Sequence, residues 1–498
     1  MVKLYSRLFK QRNAEYLLVL LLAYIPIFHN LDRLPFRIWD ETRQAFNAYE
    51  MAEQGHYLAL YFEGAPDMWN VKTPLTVICQ AFCIHLFGWN ELAIRLPSAL
   101  AALGTVILLF HWMRKYMVQP GFAFSAVALL LSFKGYVDFH AIRTGDMDSM
   151  LCFFTLGFCY SLFEWTERGK DRYLAYFFIF LLLAWFTKSI AAFLSMPALL
   201  IYLLVQGKLV SLIKTKKFWL FASILLLIPV YYLYREYSTP GYWNAVLTYE
   251  LGGRFSSQLS DENPFYYYIN QHLTRDIGTY LWLLIPASVF ALSSRIKAKR
   301  DLAIFCLLFY VGHQVVISSS ATKYGWYDVP EFPFVAMLFL LGIEAMFYDS
   351  RFRNISIDGP AKEYVFVSII LLSTVIPAYA IRAAEITDGS EIEKGSFYEL
   401  SAFLERYAKH DPHGLDGLFL AYNPKDYHWY HTIYIRRIQQ AGGTLENREV
   451  QELKTGDKVL VANQHLTEQL KYHFHLHRIE IEGNVAVYLL EDGEGMDF

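Results

Sequence analysis

Charge is scarce in this chain of 498 residues. Asp, Glu, Lys and Arg together make up 18%, against about 25% in an ordinary soluble protein. Length alone would allow about three soluble domains, but so little charge argues against an all-soluble enzyme. An excess of one sign is also missing. The formal net charge is −3, which gives no footing for nucleic-acid binding. Cysteine is sparse: Cys79, Cys83, Cys152, Cys159 and Cys306 all lie in apolar runs without CxxC spacing. They read as small buried hydrophobes, not as a disulfide or metal framework. No glycine-rich phosphate loop or dinucleotide fingerprint occurs, and neither an internal repeat nor a low-complexity stretch.

What the chain has in quantity is apolar: 55% hydrophobic and 17% aromatic residues. A bilayer core of about 30 Å needs about 20 helical residues. Eleven runs are expected to span it: 14–30, 95–113, 121–137, 149–166, 172–187, 190–206, 217–234, 277–293, 302–319, 329–347 and 363–381. A further run, 74–88, is short and holds Gln80 and His85, so it reads as an interfacial helix. With eleven spans the basic residues segregate. Clusters such as Lys3, Arg7, Lys10 and Arg12, or Arg295, Lys297, Lys299 and Arg300, fall on one side, while the longer loops of the other side are poorer in them. The positive-inside rule places that basic side, and the N-terminus, in the cytoplasm. The first run resembles a signal peptide in its basic lead, yet continues HNLDRLPFRIWDE with no small-residue cleavage site, so it is expected to be retained. From residue 382 the composition turns polar. Helices at 395–410 and 428–441 and strands at 417–423, 458–463 and 484–491 are expected to build an extracytoplasmic α/β domain over 382–498.

The outer loops hold the unusual polar residues. The first, 31–94, contains RIWDETRQAFNAYEMAEQG. Asp40 and Glu41 precede an amphipathic helix over 41–54, and Asp40 suits either an N-cap or a general base held at the membrane surface. Lys72, in WNVKTPL, suits a snorkelling anchor or a phosphate ligand. The second loop reads DFHAIRTGDMDSML, where Asp146 and Asp148 suit a shared divalent cation or the positive end of the next helix, with Arg143 able to pair with either. Lys188, in FTKSIAA, sits between two apolar runs joined by almost no loop, as an interfacial anchor or an anion partner. Arg254 lies in ELGGRF, followed by NPFYYYINQH. Lys323, Tyr324 and Tyr327 precede Pro330 and Pro333 in SSSATKYGWYDVPEFP.

These pieces, with FGWNELAIRLPSALAALGTV and in this order over about residues 14–345, resemble the bacterial dolichyl-phosphate-mannose-protein mannosyltransferase-like proteins. That family includes the lipid A aminoarabinose transferases. The resemblance implies an α-helical polytopic membrane protein of GT-C type in a bacterial inner membrane, with about eleven spans and a C-terminal extracytoplasmic α/β domain. It implies transfer of a sugar, with inversion, from a polyprenyl-phosphate donor to a lipid, protein or glycan acceptor. By position it assigns catalysis to Asp40, Glu41 and Asp148, with Asp146 an additional acid beside Asp148. It assigns donor binding to Lys72, Lys188, Arg254, Lys323 and Tyr327, and Arg143 is a further candidate substrate ligand. Two departures stand out: the lysine turn reads TKSIA where the family has Gly-Pro after the lysine, and Tyr327 lies one place nearer Lys323 than is usual. No cofactor is expected to be required. A divalent metal held by Asp146 and Asp148 is the candidate exception. The rival readings are a lipid-linked oligosaccharide ligase or polymerase, which would use the same charges, and a transporter, which would carry ionisable groups near the bilayer midplane.

Overall fold

The computed structural model describes residues 12–117, 120–138, 140–252, 263–278, 280–349, 375–387, 396–424 and 428–492. Arg254 and the first part of the expected 363–381 span lie outside them. In hydrocarbon a backbone must satisfy its own hydrogen bonds, so the apolar runs coil. Among the described residues five helical stretches are long and apolar enough to cross a membrane: Glu91–Tyr116, Asp171–Phe193, Lys216–Ser238, Lys297–Ser318 and Val329–Phe347. Shorter apolar helices, Asn13–Phe28, Leu75–Phe87, Pro120–Leu130, Met196–Val205 and Tyr280–Leu292, lie beside them. The chain is a multi-pass membrane protein. Several expected spans are shortened or interrupted. The 121–137 run stops at Leu130 and resumes as the single turn Lys134–Val137, and 190–206 opens with a 3-10 segment before Met196.

The elements that position the site are α1 (Arg12–Phe28), α2 (Asp40–Gln54), α3 (Leu75–Phe87), α4 (Glu91–Tyr116), α5 (Asp148–Arg168), α6 (Asp171–Lys188) and α7 (Lys297–Ser318). One apolar core runs through the helical part, built from residues such as Leu109, Trp112, Leu156, Phe163, Trp185, Phe305 and Phe334. Small residues let helices approach. A Cβ at Gly342 would lie 2.2 Å from the Ala287 carbonyl oxygen, which is the close backbone packing membrane helices favour.

The C-terminal part holds α8 (Ser396–His410), α9 (Trp429–Gln440) and α10 (Gln464–His473) around one sheet. With a small hairpin, β1 (Tyr61–Phe62) and β2 (Ala65–Pro66), in the first loop, the sheet strands are β3 (Leu418–Tyr422), β4 (Glu446–Glu449), β5 (Lys458–Val461), β6 (Phe474–Glu482) and β7 (Val485–Asp492). Their order is β4-β3-β5-β7-β6. β4 and β5 pair parallel with β3, and β7 runs antiparallel to β5 and β6. The helix over 375–387 runs through the expected boundary after 381. This unit shares a core with the first loop: Ala45, Phe46 and Met51 of α2 cluster with Leu404, Leu420, Ile433 and Tyr434. The Phe36 N–H donates to the Tyr434 hydroxyl at 2.8 Å, that hydroxyl donates to Glu91 at 2.8 Å, and Arg437 pairs with Glu91 at 3.0 Å. The sheet therefore sits on the same side as Asp40.

Candidate active site

α2 begins at Asp40, directly after Trp39 at φ 72°. A bulky side chain at positive φ is an outlier held by its surroundings. The cap position is Trp39, which makes no side-chain cap bond, so Asp40 does not cap the helix. It occupies the first turn, half-buried, and offers a carboxylate oxygen to a space shared with His140 and Asp146. One ligand atom from each of these three lies within 4.8 Å of the others. Five described non-glycine residues adopt positive φ, and three of them adjoin this site: Trp39, His140 (64°) and Ser189 (49°), which follows Lys188.

Glu41 is used differently. Arg95 grips it with Nε at 2.7 Å and Nη2 at 2.9 Å, and the Arg37 and Gly145 N–H groups donate to it at 2.7 and 2.8 Å. The carboxylate is fully buried with its lone pairs engaged. It pins the loop around Gly145 to the loop that precedes α2, and no oxygen is left for a substrate. Gln80 of α3 completes the clamp by donating to the Gly145 carbonyl at 2.7 Å. A Cβ at Gly145 would lie 2.4 Å from Ile94 Cγ2, so the close fit requires glycine.

The two acids of the second loop part company. Asp146 accepts from Gln44 at 3.1 Å and Thr144 at 2.5 Å, and lies 3.3 Å from His140 Nδ1. Asp148 instead pairs with Lys188 Nζ at 2.5 Å. The Asp146 and Asp148 pair expected for a divalent cation is therefore split: potential ligand atoms of Asp40, His140 and Asp146 converge, while Asp148 faces the lysine. Burial alone would drive the His140 pKa down, but Asp146, Asp40 and Asp148 raise it above the usual histidine value. Burial pushes Asp146 up, and His140, Thr144 and Lys188 outweigh it and hold Asp146 below the usual carboxylate range. The same interactions link the Asp40 side of the site to Lys188.

Lys188 ends α6 with its ammonium 5.5 Å from the Tyr327 ring centre. Thr73 Oγ1, next to Lys72, accepts the Ser189 N–H at 3.2 Å, fastening the WNVKTPL loop to the lysine turn. Lys72, Asp148, Lys188, Glu250 and Tyr327 line one pocket whose remaining wall is largely apolar, with Leu151, Ile190, Leu194 and Ile317. Two expected ligands lie differently. Arg143 donates to the Pro26 and His29 carbonyls at 3.2 and 3.1 Å, tying down the end of α1. Lys323 Nζ donates to the Ser320 carbonyl at 2.7 Å and is not among the pocket's lining residues. Three residues of the site escape a reading of the sequence. In the sequence His140 stands at no recognisable metal-ligand spacing from Asp146. Trp326 stacks on His140 at 3.6 Å. Glu250 is buried in the pocket wall with one oxygen lacking a hydrogen-bond partner. The unusually polar loop around it is the one signal that points to His140.

Residues 71–234 match the family model described as dolichyl-phosphate-mannose-protein mannosyltransferase. The structure superposes on that of ArnT from Cupriavidus metallidurans bound to undecaprenyl phosphate with TM-score 0.66 and 15% identity, covering 95% of this chain and 97% of that one. The chain has the ArnT fold. The apo Archaeoglobus fulgidus oligosaccharyltransferase is a more distant neighbour, at TM-score 0.55, 9% identity and coverage of 88% and 64%. The sequence is 23% identical over 350 residues to the undecaprenyl phosphate-alpha-4-amino-4-deoxy-L-arabinose arabinosyl transferase of Shewanella sediminis (strain HAW-EB3), covering 68% of this chain. It is 26% identical over 217 residues to YkcB of Bacillus subtilis (strain 168). The matches span 61% and 29% of those two relatives' own lengths. The resemblance to the mannosyltransferase family thus stands, and the ArnT fold extends across nearly the whole chain.

Proposed function

We propose that this chain is an integral-membrane glycosyltransferase that takes a sugar from a polyprenyl-phosphate donor. The observation that carries the reading is the convergence of Asp40, His140 and Asp146 beside a half-apolar pocket bearing Lys72 and Lys188. A lipid phosphate needs both halves of such a pocket: hydrocarbon walls for the prenyl chain, and cations for the head. The ArnT neighbour's structure holds undecaprenyl phosphate, which supports the same class of donor here.

In the reaction, Asp40 accepts the proton of an acceptor hydroxyl or amine. The acceptor atom attacks the anomeric carbon from the face opposite the phosphate. The carbon–oxygen bond to the phosphate breaks, and the polyprenyl phosphate leaves with one more negative charge. Lys72 and Lys188 stand where that charge develops, which is where fixed cations lower a barrier most. Glu41 and Arg95 hold the loops in register and take no proton. Arg254 keeps the donor-binding role that the family resemblance gives it. Asp40, His140 and Asp146 would be the residues to hold a divalent ion, which would supply positive charge to the site. The polar groups lie on one face with the C-terminal sheet, which supports transfer at the outer leaflet to an extracytoplasmic acceptor.

The test is turnover of a polyprenyl-phosphate sugar by purified Asp40→Asn protein. Transfer should fall by about 10²–10⁴-fold while the protein stays folded. Near-wild-type transfer would remove the base from this mechanism. Activity that survives EDTA would show that no metal is essential.

A further inference from the structure

A second cleft opens at the carboxyl ends of β3 and β5, away from the lysines. From β3 the chain crosses through α9 to β4 on one side of the sheet order. From β5 it crosses through α10 to β6 on the other. Two neighbouring parallel strands thus send their connections in opposite directions, and the loops must part between them. In α/β sheets such a switch point is where ligands bind. Tyr422, Asn423, His428, His431, Asn463 and His465 line the cleft. Its wall toward the helical part is Ile38 and Trp39, the two residues immediately before Asp40.

The chemistry of this cleft is that of an anion site without full charges. The first turns of α9 and α10 both face it, and a helix start presents unpaired N–H groups and partial positive charge. Acidic residues usually occupy first turns, yet neither helix has one; α9 starts with no side-chain cap, whereas at the start of α10 the Asn463 side chain accepts the His465 N–H at 2.8 Å. Among the described residues that line the cleft there is no Asp, Glu, Lys or Arg. The independent sign of a ligand is His431. It is 4% exposed, it lines the cleft, and neither ring nitrogen has a hydrogen-bond partner. A buried polar group left in that state costs about 1–3 kcal/mol, which a bound acceptor atom would recover. Aromatic faces are also at hand: Trp39 is 57% exposed, and Tyr422 stands across the cleft. Flat rings suit the apolar face of a sugar.

We infer that this cleft binds a phosphorylated sugar, the headgroup of the acceptor, and holds it beside Trp39 and Asp40. The word acceptor rests on the transferase reading, whereas the binding does not. The phosphoryl oxygens would take the N–H groups at the uncapped start of α9 and the imidazole N–H of His431. The rest of the acceptor would then extend along Trp39 toward the carboxylate.

Isothermal titration of the full chain in detergent tests this, using the Lys72→Gln background so that the lysine pocket does not mask the result. Glucose 1-phosphate should bind, inorganic phosphate should bind more weakly, and glucose should give no signal. Adding His431→Phe should weaken glucose 1-phosphate at least tenfold, and Trp39→Leu, which removes the exposed ring at the cleft wall, should weaken it as well if the first substitution disturbs folding. The site is overturned if both variants bind glucose 1-phosphate like their parent. It is also overturned if glucose binds as well as its phosphate, or if inorganic phosphate matches the sugar phosphate. Donor turnover is measured separately on the chain with Lys72 intact. A chain that binds glucose 1-phosphate through His431 yet releases no sugar from polyprenyl phosphate would sink the transferase reading and leave the cleft standing.

Discussion

Asp40 and Glu41 are adjacent in the chain and belong to two regions built on opposite rules. Glu41 lies in a seam where buried carboxylates are gripped. Arg95 and two backbone N–H groups fill its acceptor sites. Asp67 is held by Arg43 at 2.7 and 2.8 Å and by the Asn70 N–H at 2.8 Å, and Glu91 by Arg437 and Tyr434. Asp40 lies beside the pocket, in a region where valence is left over: Glu250 has an oxygen without a partner, and three potential ligand atoms face one another across a small space. A carboxylate with full coordination holds a fold together, because removing either partner strands the other. One with spare lone pairs and strained backbone around it is available to a substrate. The arrangement teaches that acidic residues in one motif are not interchangeable, and that coordination separates the roles.

The sharpest way to break that contrast is to exchange the outcomes. Asp40→Asn should cost transfer by about 10²–10⁴-fold and leave the thermal midpoint nearly unchanged. Glu41→Ala should destabilise the protein by about 3–5 kcal/mol, with activity falling only as the folded fraction falls. Unfolding curves in detergent, paired with turnover per folded molecule, read both effects. If Glu41→Ala kept the wild-type midpoint but lost transfer, the seam and the pocket would be one region.

The next largest effect is expected at the other end of the pocket. Lys72→Gln keeps most of the stem and removes the charge. A hydrogen bond to a charged group contributes about 1.5–3 kcal/mol, so the KM for the polyprenyl-phosphate donor should rise about ten- to a hundredfold with no loss of stability. The acceptor KM should stay put. A rise in both, or a lowered midpoint, would move Lys72 from the pocket to the seam.

The seam and the pocket were not equally legible. Helix ends followed from local pattern: the expected helix at 395–410 is Ser396–His410, and the expected strand at 484–491 is Val485–Asp492. Asp40, Asp148 and Lys188 stood out because charge at the end of an apolar run is unusual whatever surrounds it. The pairing was hidden. Arg95 reaches Glu41 across a whole loop and helix, and nothing in either local sequence announces the partner. His140 finds Asp146 only because its backbone takes a left-handed turn, and irregular loops carry no periodic signal. The missed strands have plain causes. β4 is ENRE, a polar edge strand, and in β6 the alternation of FHLHRIEIE changes phase at Arg478–Ile479, where the register shifts between Arg478 and Glu480. A bulge that inserts one residue erases the period of two.

The smallest effect is a test of the seam by pH. Asp67 belongs to the first loop and touches no pocket residue named above, so its substitution should change stability alone. Burial pushes its pKa up, but the Arg43 guanidinium, the Asn70 N–H and the Asn47 amide outweigh that and hold it below the ordinary carboxylate value. A carboxylate whose folded pKa is depressed binds protons more readily when unfolded. Its contribution is therefore complete above the unfolded value of about 4, and it is lost as the pH falls through the folded value. Asp67→Asn should lower stability by about 2 kcal/mol at neutral pH. The gap from wild type should hold steady down to about pH 5 and then close as the solution is acidified further. Thermal midpoints of the two proteins across that range measure the gap. A difference that persisted unchanged at acidic pH would mean that the substituted amide fails by shape and not by charge, and the seam would then be held by packing instead of by its gripped carboxylates.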